Sequence, residues 1–189
     1  MALHPTLWRT CRVLAGETRI RLLRLVVNNP GRTVSDLAAT IGISLPRASQ
    51  ELRRLQSRGL LQAVRVGRQV RYQPIPDPQV PSAKPLLKAA ETVFRRFPRE
   101  AETRLAEIAT AFSHPRRIAI VRELLWAPQD TLSLLNGVGI PRISLNRHLR
   151  LLRARGLVEH RGGKNRLTAS HHPLVQCLAR MIKQSSAGG

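Results

Sequence analysis

Acidic residues and lysines are scarce in this chain, and their scarcity limits what it can do. Only 11 Asp and Glu stand against 32 Lys and Arg in 189 residues, a formal net charge of +21, and only four of the basic residues are Lys. So few scattered carboxylates leave little room for an acid–base pair, and the sequence has no Gly-rich phosphate loop and no nucleophile elbow. An enzyme is therefore the least favoured class, and no catalytic residue or cofactor is predicted.

Cysteines and long apolar runs are also lacking. The two cysteines, Cys11 and Cys177, are too few for a disulfide scaffold, and their spacing does not match a zinc ligand set, so no metal site is predicted. No apolar run approaches the ~20 residues needed to span a bilayer, and the first residues lack the pattern of a secretion signal. We expect a cytoplasmic protein without a membrane partner.

The positive charge is concentrated in two segments, 45–73 and 141–168. Together they hold 57 positions, 15 of the 32 basic residues and only two acids. A general excess of Arg codons would spread the charge evenly, whereas a focused excess predicts a polyanionic partner. Nucleic acid is the commonest such partner, with an anionic membrane as the alternative, and we expect a nucleoid-associated protein that binds double-stranded DNA.

Each basic segment contains an amphipathic helix. Leu145, Leu149 and Leu152 recur at four- and three-residue spacing, which places a narrow apolar stripe on one face of a helix at about 141–154. A second helix, at about 45–57, repeats the plan with the stripe Ala48, Leu52 and Leu55. Each helix is therefore expected to pack with its apolar side and to present arginines on the other side.

The repetition extends beyond these helices. Arg19-Ile20 and Pro30 recur 98 residues later, as Arg117-Ile118 and Pro128. The chain therefore reads as two copies of one unit in tandem. After a one-residue deletion the offset is 97, and it holds for Leu37 and Leu134, Gly42-Ile43 and Gly139-Ile140, and Arg58-Gly59-Leu60 and Arg155-Gly156-Leu157.

Turn and cap signals predict the elements of the unit. Thr33 and Asp36 resemble a capping box at the start of a short helix, and Gly42 supplies a tight turn into the basic helix. β-Rich segments at 60–66 and 69–73 flank Gly67-Arg68 in the first copy, and segments at 157–161 and 164–169 flank Gly162-Gly163 in the second, which predicts a β-hairpin after each basic helix. Further helices are predicted at 6–14, 17–27, 83–97, 99–112 and 173–183.

A proline-rich stretch predicts the boundary between the two units. Four prolines lie between residues 74 and 81, where they interrupt regular structure, so we place a linker at 74–83. The predicted domains are 1–97 and 98–189.

This order of elements resembles the winged-helix regulators of the ArsR/SmtB family. The resemblance rests on Gly-Glu-Thr-Arg-Ile-Arg-Leu-Leu at 16–23, Ser-His-Pro-Arg-Arg-Ile-Ala-Ile-Val at 113–121, Asn-Arg-His-Leu at 146–149 and Arg-Gly-Leu-Val at 155–158. Each half resembles one complete subunit. The first copy departs from the family's pattern in Ser49-Gln50-Glu51-Leu52.

The resemblance implies a DNA-binding regulator with both subunits fused. Family members are homodimers held by their first and last helices, so we expect 6–14 and 83–97 to pack against 99–112 and 173–183. The implied fold class is mainly α with small β-wings: two tandem winged helix-turn-helix domains that form an intramolecular pseudodimer. We expect one chain to act as this pseudodimer, with further dimerisation left open.

Base readers are predicted on the outward faces of the two basic helices. Bidentate donors suit base edges in the major groove: Arg with guanine, and Gln or Asn with adenine. Since the two helices differ, one chain could read two unlike half-sites. The predicted base-reading residues are Arg47, Ser49 and Gln50 in the first copy, and Arg142, Ser144, Asn146 and Arg147 in the second.

The remaining cations are predicted to contact the DNA backbone or the minor groove. They are Arg53, Arg54, Arg150 and Arg153 on the helices, and Arg65, Arg68, Arg71, Arg161, Lys164 and Arg166 on the hairpins. Cys11 and Cys177 fall on the first and last helices, which makes them candidates for a thiol switch at the pseudodimer interface. Buried, unreactive thiols are the commoner alternative.

The favoured function is a sequence-specific transcriptional regulator, a repressor that acts by occluding its site. An architectural protein that coats DNA would use the same charge without base readout, and predicts steep salt dependence with no preferred sequence. A winged-helix protein-interaction module is a third class, against which the focused cations argue.

Overall fold

The computed structural model describes residues 7–187 and shows a mainly helical chain with two small antiparallel hairpins. This architecture confirms the broad fold class predicted from the sequence. Residues 1–6 and 188–189, at the outer ends of the predicted units, lie outside the described residues. Within the described part, no helix is long and apolar enough to cross a membrane.

The upstream half of the described chain contains five helices and one hairpin. The hairpin follows the fourth helix, and a proline-containing stretch separates it from the fifth. The elements are α1 (Leu7–Leu14), α2 (Glu17–Asn28), α3 (Val34–Ile41), α4 (Leu45–Gln56), β1 (Gln62–Val66), β2 (Gln69–Gln73) and α5 (Ala83–Arg96).

The downstream half shows the same order of five helices with one hairpin after the fourth. Its hairpin is shorter, with four residue pairs in register against five upstream. The elements are α6 (Ala101–Phe112), α7 (Pro115–Leu124), α8 (Thr131–Val138), α9 (Arg142–Ala154), β3 (Val158–Arg161), β4 (Lys164–Leu167) and α10 (Pro173–Ala187).

The short helix α3 is delimited by the predicted local signals. The Thr33 hydroxyl accepts from the Asp36 N–H, and the Asp36 carboxylate accepts from the Thr33 N–H, which completes the capping box. Gly42 ends the helix with a left-handed φ of 70°, which turns the chain into α4. Ser44 occupies the N-cap position of α4 but makes no side-chain cap.

The corresponding helix α8 uses different residues for the same purpose. The Asp130 carboxylate accepts from the N–H groups of Leu132 and Ser133, both at 2.9 Å. Gly139 ends α8 with a left-handed φ of 64°. Each half therefore has a short capped helix, a tight glycine turn and a basic helix in succession.

Several boundaries differ from those predicted, and the start of α6 at Ala101 instead of residue 99 is one of them. β1 begins at Gln62, not at residue 60, because Leu60 and Leu61 are buried in the core and their backbone does not join the ladder. The last helix, α10, continues to Ala187 beyond the predicted end at 183.

One continuous apolar core joins the two halves. α1 packs against α6, α5 packs against α10, and α5 also contacts α6. Full burial of one such side chain is worth roughly 1.5–3 kcal/mol, so these four helices account for much of the attraction between the halves. The buried large side chains on them include Leu7, Leu14, Leu86, Leu105 and Phe112.

An arginine near the start of α2 and its counterpart in α7 close the preceding helix in the same way. Arg19 Nε donates to the Val13 carbonyl, and Arg117 Nε donates to the Ala111 carbonyl at 2.7 Å. Both arginines, and both carbonyls, are 98 positions apart. The structural role therefore recurs at the offset seen in the sequence.

Isolated β-bridges connect each hairpin to the segment before its helix-turn-helix. In the upstream half, Thr33 bridges to Arg71 on β2. In the downstream half, Gln129 and Asn165 exchange two backbone hydrogen bonds of 2.9 and 2.7 Å. The hairpins are thereby held beside the helices that carry the basic residues.

Substitutions on α9 should separate its packed face from its outward face. Leu149 is 1% exposed, so Leu149→Ala should lower the free energy of unfolding by about 2–5 kcal/mol. Ile143 on the same helix is 86% exposed, so Ile143→Ala should change it by less than about 0.5 kcal/mol. Urea unfolding followed by circular dichroism measures both values, and equal losses would contradict this division of the helix.

Candidate nucleic-acid interface

The helix α4 separates a buried stripe from an exposed basic face. Ala48, Leu52 and Leu55 are fully buried, as predicted, and they fix the rotation of the helix on its core. The predicted base-reading residues lie on its N-terminal half, away from this stripe. Arg47 and Gln50 are exposed, and Ser49 is half-buried.

The helix α9 has the same division with different outward residues. Leu145, Leu149 and Leu152 are buried in the core. At positions equivalent by the 97-residue offset, α9 therefore offers another set of donors than α4. Arg142, Asn146 and Arg147 are exposed, and Ser144 is half-buried.

Two apolar side chains that are not among the predicted base-reading residues lie among these polar ones. Leu45 on α4 is 51% exposed, and Ile143 on α9 is 86% exposed. Their signal in the sequence is an apolar residue off the buried stripe, in the first turn of a basic helix. Such a side chain suits the methyl group that thymine presents in the major groove.

The arginines further along the two helices fall into two kinds. Arg53 and Arg150 are exposed, and within the described residues neither makes a hydrogen bond or ion pair. In contrast, Arg54 donates to Glu51 at 2.9 Å, and Arg153 donates to the Asn165 amide oxygen at 2.6 Å. The first pair remains available to an outside anion, whereas Arg153 fastens α9 to the hairpin.

The hairpin cations divide in a similar way. Arg71 is half-buried, and its guanidinium donates to the Gly31 carbonyl and the Gln69 side chain. Arg166 is half-buried beside the Glu159 carboxylate, 3.7 Å away. These two are engaged within the fold and less available than predicted. The other four predicted hairpin cations, Arg65, Arg68, Arg161 and Lys164, are exposed.

A buried carboxylate supports the basic helix of the upstream half. Glu51 accepts from Arg19 at 2.8 Å and from Arg54 at 2.9 Å. Burial by itself raises the pKa of Glu51, but the hydrogen bonds and charges of the two arginines outweigh it and leave the pKa below its ordinary value. Glu51 therefore stays ionised and links α4 to α2.

A histidine pair occupies the corresponding place in the downstream half. His148 stands 97 positions after Glu51, and its ring lies 4.7 Å from that of His114, centroid to centroid. Burial lowers the pKa of His148 to about 4, and the charges of His114, Arg117, Arg116 and Arg147 act in the same direction. Neutral imidazoles thus replace the ion pair seen upstream.

The two cysteines lie on helices that face each other across the core. Cys11 on α1 is fully buried, and Cys177 on α10 is half-buried with its thiol donating to the Pro85 carbonyl at 3.4 Å. Burial raises the pKa of both thiols, and the Cys177 charge raises that of Cys11 further. Both thiols are free and protonated at neutral pH, which makes them weak nucleophiles.

His172, just before α10, packs against an aromatic ring. The His172 ring stacks on Phe97 with centroids 5.8 Å apart, and its Nδ1 accepts from the Leu174 N–H. Burial, with a smaller effect of Arg104, lowers the pKa of His172 to about 4. In the part of the chain that the structure describes, no group of three His, Cys, Asp or Glu side chains could hold a metal ion.

Comparison with known proteins identifies the upstream basic unit. A family model described as the MarR family matches residues 17–71, which comprise α2, α3, α4, β1 and the first part of β2. These residues form a winged helix-turn-helix domain, and the match supports a DNA-binding transcriptional regulator. The match does not identify the ArsR/SmtB family, and it does not extend to the proposed second copy of the unit. A search of the curated proteins found no match.

The histidine pKa values predict a loss of stability in mild acid. Half-buried His148 and His172 have a pKa of about 4 in the folded chain against an ordinary 6.5, so between these values the unfolded chain binds protons that the folded chain does not. The stabilisation that depends on these two neutral rings should be fully present above pH 7 and should fall steadily from pH 6.5 to 4. Thermal unfolding at stepped pH measures it.

His148→Gln should flatten part of this decline, because glutamine cannot take up the proton. The matched control is His160→Gln, at an exposed position on β3, which should leave the profile as in the wild type. Identical pH profiles for His148→Gln and the wild type would show that the His148 environment does not favour the neutral ring.

Proposed function

We propose that this chain is a sequence-specific transcriptional repressor that places two unlike helices, α4 and α9, in successive major grooves of double-stranded DNA. The observation that carries the proposal is the pair of helices with buried apolar stripes and exposed, dissimilar donor sets. The winged helix-turn-helix identified at residues 17–71 supplies one reader, and the second would be its tandem copy.

The packing of the flanking helices supports an intramolecular pseudodimer. The contacts between α1 and α6 and between α5 and α10 join first helix to first and last helix to last, as a symmetric dimer of two subunits would. The proposed units are 1–97, including the linker 74–83, and 98–189. For both readers to enter one face of B-DNA, their centres must lie about 34 Å apart, one helical turn.

Each reader has donors for particular bases. Arg47 and Arg142 are proposed to bind guanine edges, while Gln50 and Asn146 bind adenine, each bidentate contact contributing about 1–3 kcal/mol of discrimination. Arg147 is a further exposed donor on α9. The half-buried hydroxyls of Ser49 and Ser144 can add single hydrogen bonds at the same face.

The backbone contacts are assigned to the exposed, unpaired cations. Neutralising six phosphates implies that the logarithm of affinity falls with the logarithm of salt concentration at a slope of about −5. Arg54, Arg71, Arg153 and Arg166 instead position the helices and hairpins from within. The proposed phosphate contacts are Arg53, Arg65, Arg68, Arg150, Arg161 and Lys164.

Repression would follow from occupancy of a site that overlaps a promoter, in the nucleoid of the cytoplasm. One chain suffices for both half-sites, and a thiol switch at Cys11 and Cys177 would require these protonated thiols to become exposed. The weaker alternative is an architectural protein that binds DNA through charge alone.

Selection from a random duplex library at near-physiological salt tests the proposal. We expect one enriched site with two unlike halves about one helical turn apart, bound by a single chain in native mass spectrometry. Arg47→Ala should relax sequence preference in one half and Arg142→Ala in the other, while exposed Arg95→Ala on α5 should alter neither. Binding without any enriched sequence would leave only the architectural alternative.

The exposed Ile143 predicts a thymine in the half-site of α9. Replacing that thymine by deoxyuracil removes only the methyl group, and the loss of one buried methyl contact should weaken binding about fourfold. Ile143→Ala should bind the two DNAs equally, since the alanine side chain is too short to cover the thymine methyl. Fluorescence anisotropy measures these affinities, and equal sensitivity of both proteins to the replacement would contradict a contact by Ile143.

A further inference from the structure

An arginine-lined groove lies between α1 and the C-terminal part of α4, apart from the base-reading residues. It encloses about 520 Å³, and its wall includes Trp8 on α1. The groove is open to solvent, and none of the six proposed phosphate contacts lines it. The arginines that line it are Arg9, Arg12, Arg19, Arg54 and Arg58.

The charge in this α1–α4 groove is only partly neutralised. Glu51 pairs with Arg19 and Arg54 and thereby satisfies two of the five guanidinium groups. Among the described residues, no carboxylate lies within ion-pair distance of Arg9, Arg12 or Arg58. Three cations therefore converge on one concave surface without an acidic partner.

In the downstream half, the corresponding arginine is neutralised by a carboxylate. Arg155, the counterpart of Arg58, donates to the Glu107 carboxylate on α6 at 2.9 Å. By the 98-residue offset that relates α1 to α6, the counterpart of Glu107 is Arg9. Where the downstream half has an acid facing an arginine, the upstream half has a second arginine.

We propose that the α1–α4 groove binds a small oxyanion with at least two negative charges, of the phosphate type. Guanidinium groups are suited to this because they donate paired, charge-assisted hydrogen bonds to phosphate oxygens. Arg9 is held for this purpose above the Trp8 ring, with its guanidinium carbon 5.3 Å from the ring centroid. The bound anion neutralises Arg58, as the Glu107 carboxylate neutralises its counterpart Arg155 downstream.

The position of the groove distinguishes this ligand from the DNA read by α4. Arg58 lies two residues beyond the end of α4, and Arg54, the groove residue within α4, follows Arg47 by seven residues, which is about 10 Å along the helix axis at 1.5 Å per residue. A small anion can therefore occupy the groove while the N-terminal end of α4 faces DNA. The alternative source of the oxyanion is the DNA backbone itself.

Isothermal titration of the full chain with inorganic pyrophosphate, in the absence of DNA, tests the proposal. One site should be titrated, and Arg9→Glu should weaken it about tenfold or more, since it removes a charge-assisted donor and repels the anion. Arg95→Glu makes the same charge change at an exposed position on α5 and should leave the binding constant unchanged. Arg9→Glu should remain folded because it restores the acid found at the downstream counterpart.

Three results would overturn the proposal. The first is absence of pyrophosphate binding, and the second is equal weakening by Arg9→Glu and Arg95→Glu, which would indicate general attraction to a cationic surface. The third is that Arg9→Glu weakens DNA binding, Arg95→Glu does not, and the wild-type chain binds no pyrophosphate. This result would assign the groove to a DNA phosphate. Since the titration contains no DNA, its outcome is independent of whether sequence-specific binding is found.

Discussion

The apolar contact between the flanking helices is the constraint on which the rest of the structure depends. α1 lies against α6 and α5 against α10, and the side chains between them, such as Leu14 and Phe112, are excluded from water. Because α2 and α7 are tied to the ends of α1 and α6 by Arg19 and Arg117, this contact also determines where each helix-turn-helix is held. The distance between the two basic helices is therefore a property of the core and not of the linker.

The two halves share a plan but differ in how each basic helix is supported. Upstream, Glu51 joins α4 to Arg19 by an ion pair that stays charged in acid to a pH below the ordinary carboxylate range. Downstream, His148 replaces it and packs as a neutral ring against His114. An ion-pair network therefore holds α4, whereas ring packing holds α9. A change of pH should then affect the support of the two helices to different extents.

The sequence predicted most of what is local and little of what depends on distant partners. The stripe Leu145, Leu149 and Leu152, the Thr33 capping box and the proline-containing boundary follow from spacing within a few residues, and the structure shows the first two as expected. Spacing along the sequence could not predict which arginines would find a hydrogen-bond partner within the fold. Arg153 is bound to Asn165 only because the hairpin returns to α9, and that approach is set by the tertiary fold.

The covered faces of α1 and α6 belong to a single polypeptide, and this has a consequence for dosage. A regulator assembled from separate subunits loses its active form as the square of its concentration when it is diluted, because association is bimolecular. In the proposed pseudodimer the partner surface is always present at the high local concentration that a covalent connection provides. Under that proposal, occupancy of the DNA site should vary linearly with copy number, and each half can diverge as long as it remains complementary to the other half.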